Sequence, residues 1–160
     1  MIKSKKAMCI ALAIPIVSLA LLVSYKKYIL SHGEEVTLPI NGYDPRDLLS
    51  GHYLIYRIEY GVDGICDKAS YKLKKSGYVC LNPKKFSYRW IDDCKIMIKG
   101  ICNRRRFEAG IERYYVPEEA AKTLEDLVQS KQASIVLSVH KNGNAQIKDL
   151  LINGSSWRKK

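Results

Sequence analysis

The chain is 160 residues long, 47% hydrophobic and 27% charged, with a net charge of +11 at pH 7. It has no internal repeat and no low-complexity tract, which excludes a repeat array, and its length argues for one folded domain. The charge is uneven: residues 1–30 hold five Lys (3, 5, 6, 26, 27) and no acid, leaving 22 basic against 16 acidic residues, +6, for 31–160. Basic and aromatic residues do not interleave as a nucleic-acid stacking platform needs. A lysine-rich soluble surface explains the charge best; anionic lipid or an acidic polymer remains as the alternative partner.

Ala7 to Tyr25 is 19 residues without a charge. At 1.5 Å rise per residue such a helix spans a hydrocarbon core of roughly 30 Å, and Pro15 kinks rather than breaks it. The apolar run continues past the weak small-x-small site Ser18-Leu19-Ala20, against a cleaved signal peptide. Cys9 precedes most of the run, against a lipoprotein. The segment is therefore expected to be a single uncleaved anchor, with residues 1–30 as cytoplasmic terminus and span and 31–160 as an extracytoplasmic domain.

Beyond a linker at Ser31 to Leu38, Pro45 sets a turn and Gly51 leads into an alternating strand, Tyr53 to Tyr60, with Leu54, Tyr56, Ile58 and Tyr60 on one face. Gly61 to Gly64 reads as a turn. Short strands at Tyr71 to Leu73 and Tyr78 to Leu81 flank a hairpin-like turn at Lys74-Lys75-Ser76-Gly77. Asn82 to Lys85 is a loop, and Cys94 to Ile101 alternates as a strand. After a turn at Arg104-Arg105-Arg106, Phe107 to Val116 is expected to form one strand with Phe107, Ala109 and Ile111 on one side. Pro117-Glu118-Glu119 opens a helix in which Ala121, Leu124, Leu127 and Val128 share a face. Ile135, Leu137 and Val139 mark a further strand, turned by Asn142-Gly143 with positive φ at both central residues, and Asn153-Gly154 makes a second tight turn. The fold class is mostly β (α+β): an antiparallel sandwich or barrel-like domain of about seven strands with one packed helix.

Four cysteines, Cys66, Cys80, Cys94 and Cys102, follow the apolar segment. Their spacing lacks the close pairs of a zinc site, and an oxidising compartment favours disulfides. Cys66–Cys80 with Cys94–Cys102 closes the smallest loops and is the expected pairing. Asp44, Arg46, Asp47 and His52 lie close enough in sequence for acid–base work or for binding a metal, but Asp before Pro commonly serves a turn and Arg46 can pair with Asp47. Glu108 and Glu112, four apart in the expected strand, share a face as glycoside chemistry or a salt bridge to Arg106 or Arg113 would require. No nucleophile elbow, phosphate loop or zinc helix motif is present, so no catalytic residue, metal or cofactor is assigned.

Two blocks, Tyr43-Asp44-Pro45-Arg46-Asp47-Leu48-Leu49 leading to Gly51-His52-Tyr53, and Gly110-Ile111-Glu112-Arg113-Tyr114-Tyr115-Val116-Pro117-Glu118, resemble the GDYXXLXY family of membrane-anchored bacterial proteins. His52 stands where the family motif has Asp, Tyr56 where it has Leu and Ile58 where it has Tyr. The resemblance implies a single-span envelope protein with a β-rich domain, encoded beside a polytopic membrane protein, and carries no activity with it. Tyr43, Asp44, Arg46, Asp47, Gly51, His52, Tyr53, Glu112, Arg113 and Tyr114 are the candidates for a shared partner surface. The expected function is a non-enzymatic accessory subunit of an inner-membrane protein. A binding module for an envelope polymer or lipid is the alternative, and a hydrolase using Asp44, Asp47, His52 and Glu112 ranks below both.

Overall fold

The computed structural model describes residues 2–42, 53–67 and 74–158, which divide into two compact units, Met1–His32 and Gly33–Lys160. The first unit is one helix, α1 (Ile2–His32), continuous through Pro15. It carries apolar residues all round: Leu12, Ile16, Leu19 and Leu22 are between 58% and 67% exposed. Nothing in that pattern marks a core-facing stripe, and Ile10–His32 is long and apolar enough to cross a membrane. The linker expected from Ser31 is shorter than its composition suggests, since the helix runs through His32 and the first strand starts at Glu34.

The second unit is β-rich, its described residues forming ten strands where about seven were expected. One antiparallel sheet has the order β10-β9-β8-β1-β2-β7, formed by Ser155–Ser156, Ala145–Ile152, Ala133–Val139, Glu34–Gly42, Tyr53–Ile58 and Arg113–Tyr115. The other has the order β4-β3-β5-β6, formed by Lys84–Ser87, Lys75–Leu81, Met97–Asn103 and Arg106–Glu108. Period-2 burial places Leu38 and Ile40 of β1, Ile135 and Leu137 of β8, and Val79 and Ile98 of the smaller sheet in one hydrophobic core. The helix α2 (Glu118–Gln129) closes that core with Leu124 and Val128. Pro117 is its extended cap residue, one position ahead of the expected first turn. Helix and β1 approach closely at Gly42, where an added Cβ would lie 2.8 Å from Gln129 Cγ and 3.1 Å from its Cα. The two sheets are also joined by their backbones, because Lys99 N–H donates to the Gly143 carbonyl at 2.7 Å.

Several expectations are corrected. Lys75-Ser76-Gly77 is strand, not turn, because residues 75–80 pair with 97–102 of β5 and that ladder overrides a turn-like composition; Tyr71 to Leu73 lie outside the described residues. Lys84 and Lys85 likewise belong to β4, paired with Leu81 and Cys80. Phe107 to Val116 is two short strands in different sheets, separated at Gly110, whose φ is +80°. The β8–β9 turn has positive φ at Gly143 but not at Asn142: Gly143 N–H donates to the His140 carbonyl at 2.8 Å, and the left-handed residue closes the turn. Asn153-Gly154 does have φ of +50° and +79°, as a type I′ turn requires.

The disulfides are Cys66–Cys102 and Cys80–Cys94, not the short-loop pairs. Extended geometry explains the difference. The β5 strand alone carries the chain about 16 Å from Met97 to Cys102, and Cys94 lies ahead of that strand, whereas a disulfide needs Cα atoms under about 7 Å apart. Pairing of β3 with β5 sets Cys80 opposite Met97, near Cys94, and Cys102 opposite Lys75 at the other end of the ladder. The observed Cα–Cα distances are 5.7 Å for Cys80–Cys94 and 5.5 Å for Cys66–Cys102.

Candidate functional site

The β2 strand places Tyr56 and, just beyond its end, Tyr60 on its buried face. The Tyr56 hydroxyl donates to the Ile111 carbonyl at 2.6 Å, and Tyr56 N–H donates to the Glu112 carbonyl at 3.2 Å, which ties β2 to the segment before β7. The Tyr60 ring meets Phe107 of β6 edge to face, with centroids 5.4 Å apart. Its hydroxyl is buried and has no hydrogen-bond partner among the described residues. Burial pushes both phenols well above the usual tyrosine range, and the neighbouring Glu112 carboxylate pushes them further.

Gly110 lets the chain turn from one sheet to the other, and Glu112 fastens the turn. Its carboxylate accepts from Ala109 N–H at 2.6 Å and from Gly110 N–H at 2.9 Å. Glu108 lies on β6 and accepts from the Asn103 side-chain amide at 3.2 Å. The two glutamates therefore do not share a strand face as expected, yet they line the same cleft.

That cleft, about 780 Å³, opens where β2 and the 110–113 segment of the larger sheet meet β6 of the smaller one. Ile58, Tyr60, Ile65 and Phe107 supply its apolar wall. Among the described residues Arg57, Arg105, Arg106 and Arg113 line it together with Glu108 and Glu112. Arg104 and Arg105 form the two-residue β5–β6 turn with φ of +47° and +64°, a conformation that disfavours side chains bearing a Cβ. The arrangement is suited to holding an oxyanion beside an apolar body. Among the described residues no three His, Cys, Asp or Glu come together to hold a metal ion.

Of the expected partner surface, Tyr43, Asp44, Arg46, Asp47, Gly51 and His52 lie outside the described residues. Tyr53 pairs through its backbone with Tyr115 at the β2–β7 edge. Glu112 and Arg113 line the cleft, whereas Tyr114 is buried elsewhere. Its hydroxyl accepts from Trp157 Nε1 at 3.0 Å and Arg158 Nη2 at 2.8 Å, pinning the C-terminal turn. Arg57, Tyr60, Arg105 and Arg106 were not picked out as partners of one another. The arginine run was visible in sequence as a turn, and its positive φ values are the signal that composition does not display.

A family model described as GDYXXLXY protein matches residues 15–150. No curated protein and no solved structure matches the chain.

Proposed function

The chain belongs to the GDYXXLXY family, and from that premise we propose that it is a membrane-anchored, non-enzymatic envelope protein, an accessory subunit of an integral membrane protein. The observation that carries the reading is α1, whose apolar residues face outward on all sides over Ile10–His32. Small residues at Ala11, Ala13, Ser18 and Ala20 allow close helix–helix approach within a bilayer. Two disulfides in the β-rich unit suit an oxidising compartment and support our reading of that unit as lying outside the cytoplasm of a bacterial cell, with the single span in the inner membrane.

A mild-detergent pull-down from native membranes tests the proposal. A stoichiometric membrane protein that survives salt washing is expected; elution of the chain alone refutes the subunit reading. A C-terminal alkaline phosphatase fusion, expected to be active in intact cells, tests the sidedness separately. The second reading, a binding module for an envelope lipid or polymer, is favoured by one observation, the arginine-lined cleft.

A further inference from the structure

We propose that the outward side of the smaller sheet, carrying Trp90, docks on an anionic lipid surface. The inference rests on reading α1 as a membrane anchor and is independent of the subunit reading.

Strand register defines the face. Tyr78 lies between Ser87 and Lys99, Cys80 lies between Lys85 and Met97, and Ser76 pairs with Ile101. The alternate row, Phe86, Val79 and Ile98, packs into the core. Tyr78, Lys85, Lys99 and Ile101 therefore share the side turned away from it. The segment between β4 and β5 reaches the same side. Its Cys94 is fastened to Cys80, and the Trp90 ring meets Tyr78 edge to face with centroids 5.7 Å apart. That contact orients the indole and still leaves it 48% exposed. Among the described residues of the β-rich unit, Trp90, Ile101 and Tyr115 are the exposed large hydrophobics, and two of the three belong to this face.

Charge is concentrated in the same stretch. Residues 74–101 hold seven basic side chains against two acids, Asp92 and Asp93, which is +5 of the +6 carried by residues 31–160. Lys95 pairs with Glu34 and Lys75 lies over the Tyr88 ring, so neither is counted toward a partner. Lys85, Arg89 and Lys99 are exposed, and among the described residues none of the three forms an ion pair.

An exposed indole among cations suits a membrane–water interface, where the ring sits at head-group depth and each cation meets anionic head groups. The tether favours lipid over a soluble polyanion. Only Gly33 separates α1 from Glu34, and Glu34 pairs at 3.7 Å with Lys95, just ahead of β5. A link that short keeps the β-rich unit at high effective concentration beside the bilayer that α1 crosses, so individually weak contacts suffice.

The test uses the full chain reconstituted in phosphatidylcholine vesicles with and without phosphatidylglycerol, the lipids carrying acyl-chain bromine that quenches tryptophan emission. Trp90→Phe replaces an exposed ring, and the quenching it removes belongs to Trp90, since Trp157 is the only other tryptophan. Trp90 is expected to be quenched in vesicles containing phosphatidylglycerol, and several-fold less in phosphatidylcholine alone or at high salt. The double variant K85Q/K99Q is expected to lower the ratio of docked to undocked chains roughly tenfold or more. Its near-ultraviolet circular dichroism and both disulfides are expected to stay unchanged. Equal quenching with and without phosphatidylglycerol, or equal quenching of wild type and K85Q/K99Q, overturns the proposal. So does an unquenched Trp90 in a chain that floats with the vesicles. If that unquenched Trp90 shifts its emission on addition of polyphosphate, the face belongs to a soluble polyanion instead. A chain that floats with neither kind of vesicle refutes the anchor reading and the proposal together.

Discussion

Exchanging Arg104-Arg105 for Asn-Gly should stabilise the chain, and the sign follows from backbone geometry. The wild-type turn holds φ of +47° and +64°. A residue with a Cβ pays roughly 1–2 kcal/mol for that region, Asn less, and Gly nothing sterically, though Gly adds about 0.5–1 kcal/mol of unfolded-chain entropy. Arg105 does have an interaction partner, but both arginines are exposed, and an exposed ion pair contributes only about 0.2–1 kcal/mol. The net expectation is a gain of about 1 kcal/mol, which for a unit of this size raises the melting temperature by about 3–6 °C. Thermal unfolding of the full chain in detergent, followed by tryptophan fluorescence, reads this shift. A variant that melts at or below wild type refutes the strain argument, because the arginines would then be repaid by contacts within the fold.

Three further outcomes are expected. Non-reducing peptide mapping should recover Cys66 linked to Cys102 and Cys80 to Cys94; because the pairs lie 36 and 14 residues apart, replacing each with alanines should cost about 4 and about 3 kcal/mol of stability, read by urea denaturation. Tyr56 and Tyr60 have folded-state pKa values raised by burial first and the Glu112 carboxylate second. The folded chain then keeps protons that the unfolded chain loses above pH of about 10, so stability should be level below that pH and fall above it by up to about 2.7 kcal/mol per pH unit. Tyr60→Phe should halve that slope in alkaline urea titrations, and an unchanged slope would remove the buried phenol from the account. Tyr114→Phe deprives Trp157 Nε1 and Arg158 Nη2 of their shared acceptor and should cost about 1–2 kcal/mol, with a shift in tryptophan emission as the local readout.

How much of this was legible in the sequence depended on whether the cause was local. The alternation of Leu54, Tyr56 and Tyr60, the helical spacing of Leu124 and Val128, and the Asn153-Gly154 turn each express a preference carried by adjacent residues, and each appears in the structure. The 107–116 segment misled because Phe107, Ala109 and Ile111 keep a strand period across Gly110. The pairing of β6 with β5 and of β7 with β2 reveals the change of sheet, and the Glu112 carboxylate fastens it through two backbone N–H groups. Cysteine pairing misled for a related reason: loop length is a property of the unfolded chain, whereas the extension of β5 decides which thiols can meet. The cleft was hidden altogether. It draws Arg57 and Tyr60 from one sheet and Arg105 and Arg106 from the other, and strand order across two sheets is not written in any single stretch.

The disulfides are nested, Cys80–Cys94 lying inside the span of Cys66–Cys102. Of these four thiols Cys66 and Cys80 emerge first during synthesis, and an oxidant acting on them in order of appearance would join those two. The next pair would then be Cys94 and Cys102, giving two closed rings that block the β3–β5 ladder. Reaching the native pattern requires Cys66 to wait for a partner 36 residues later, or an early wrong bond to be exchanged through a mixed disulfide. Where thiols pair in order of appearance, maturation of this chain is expected to depend on shuffling as well as on oxidising power. A cell that lacks a disulfide isomerase should accumulate it in scrambled form even where oxidation is complete.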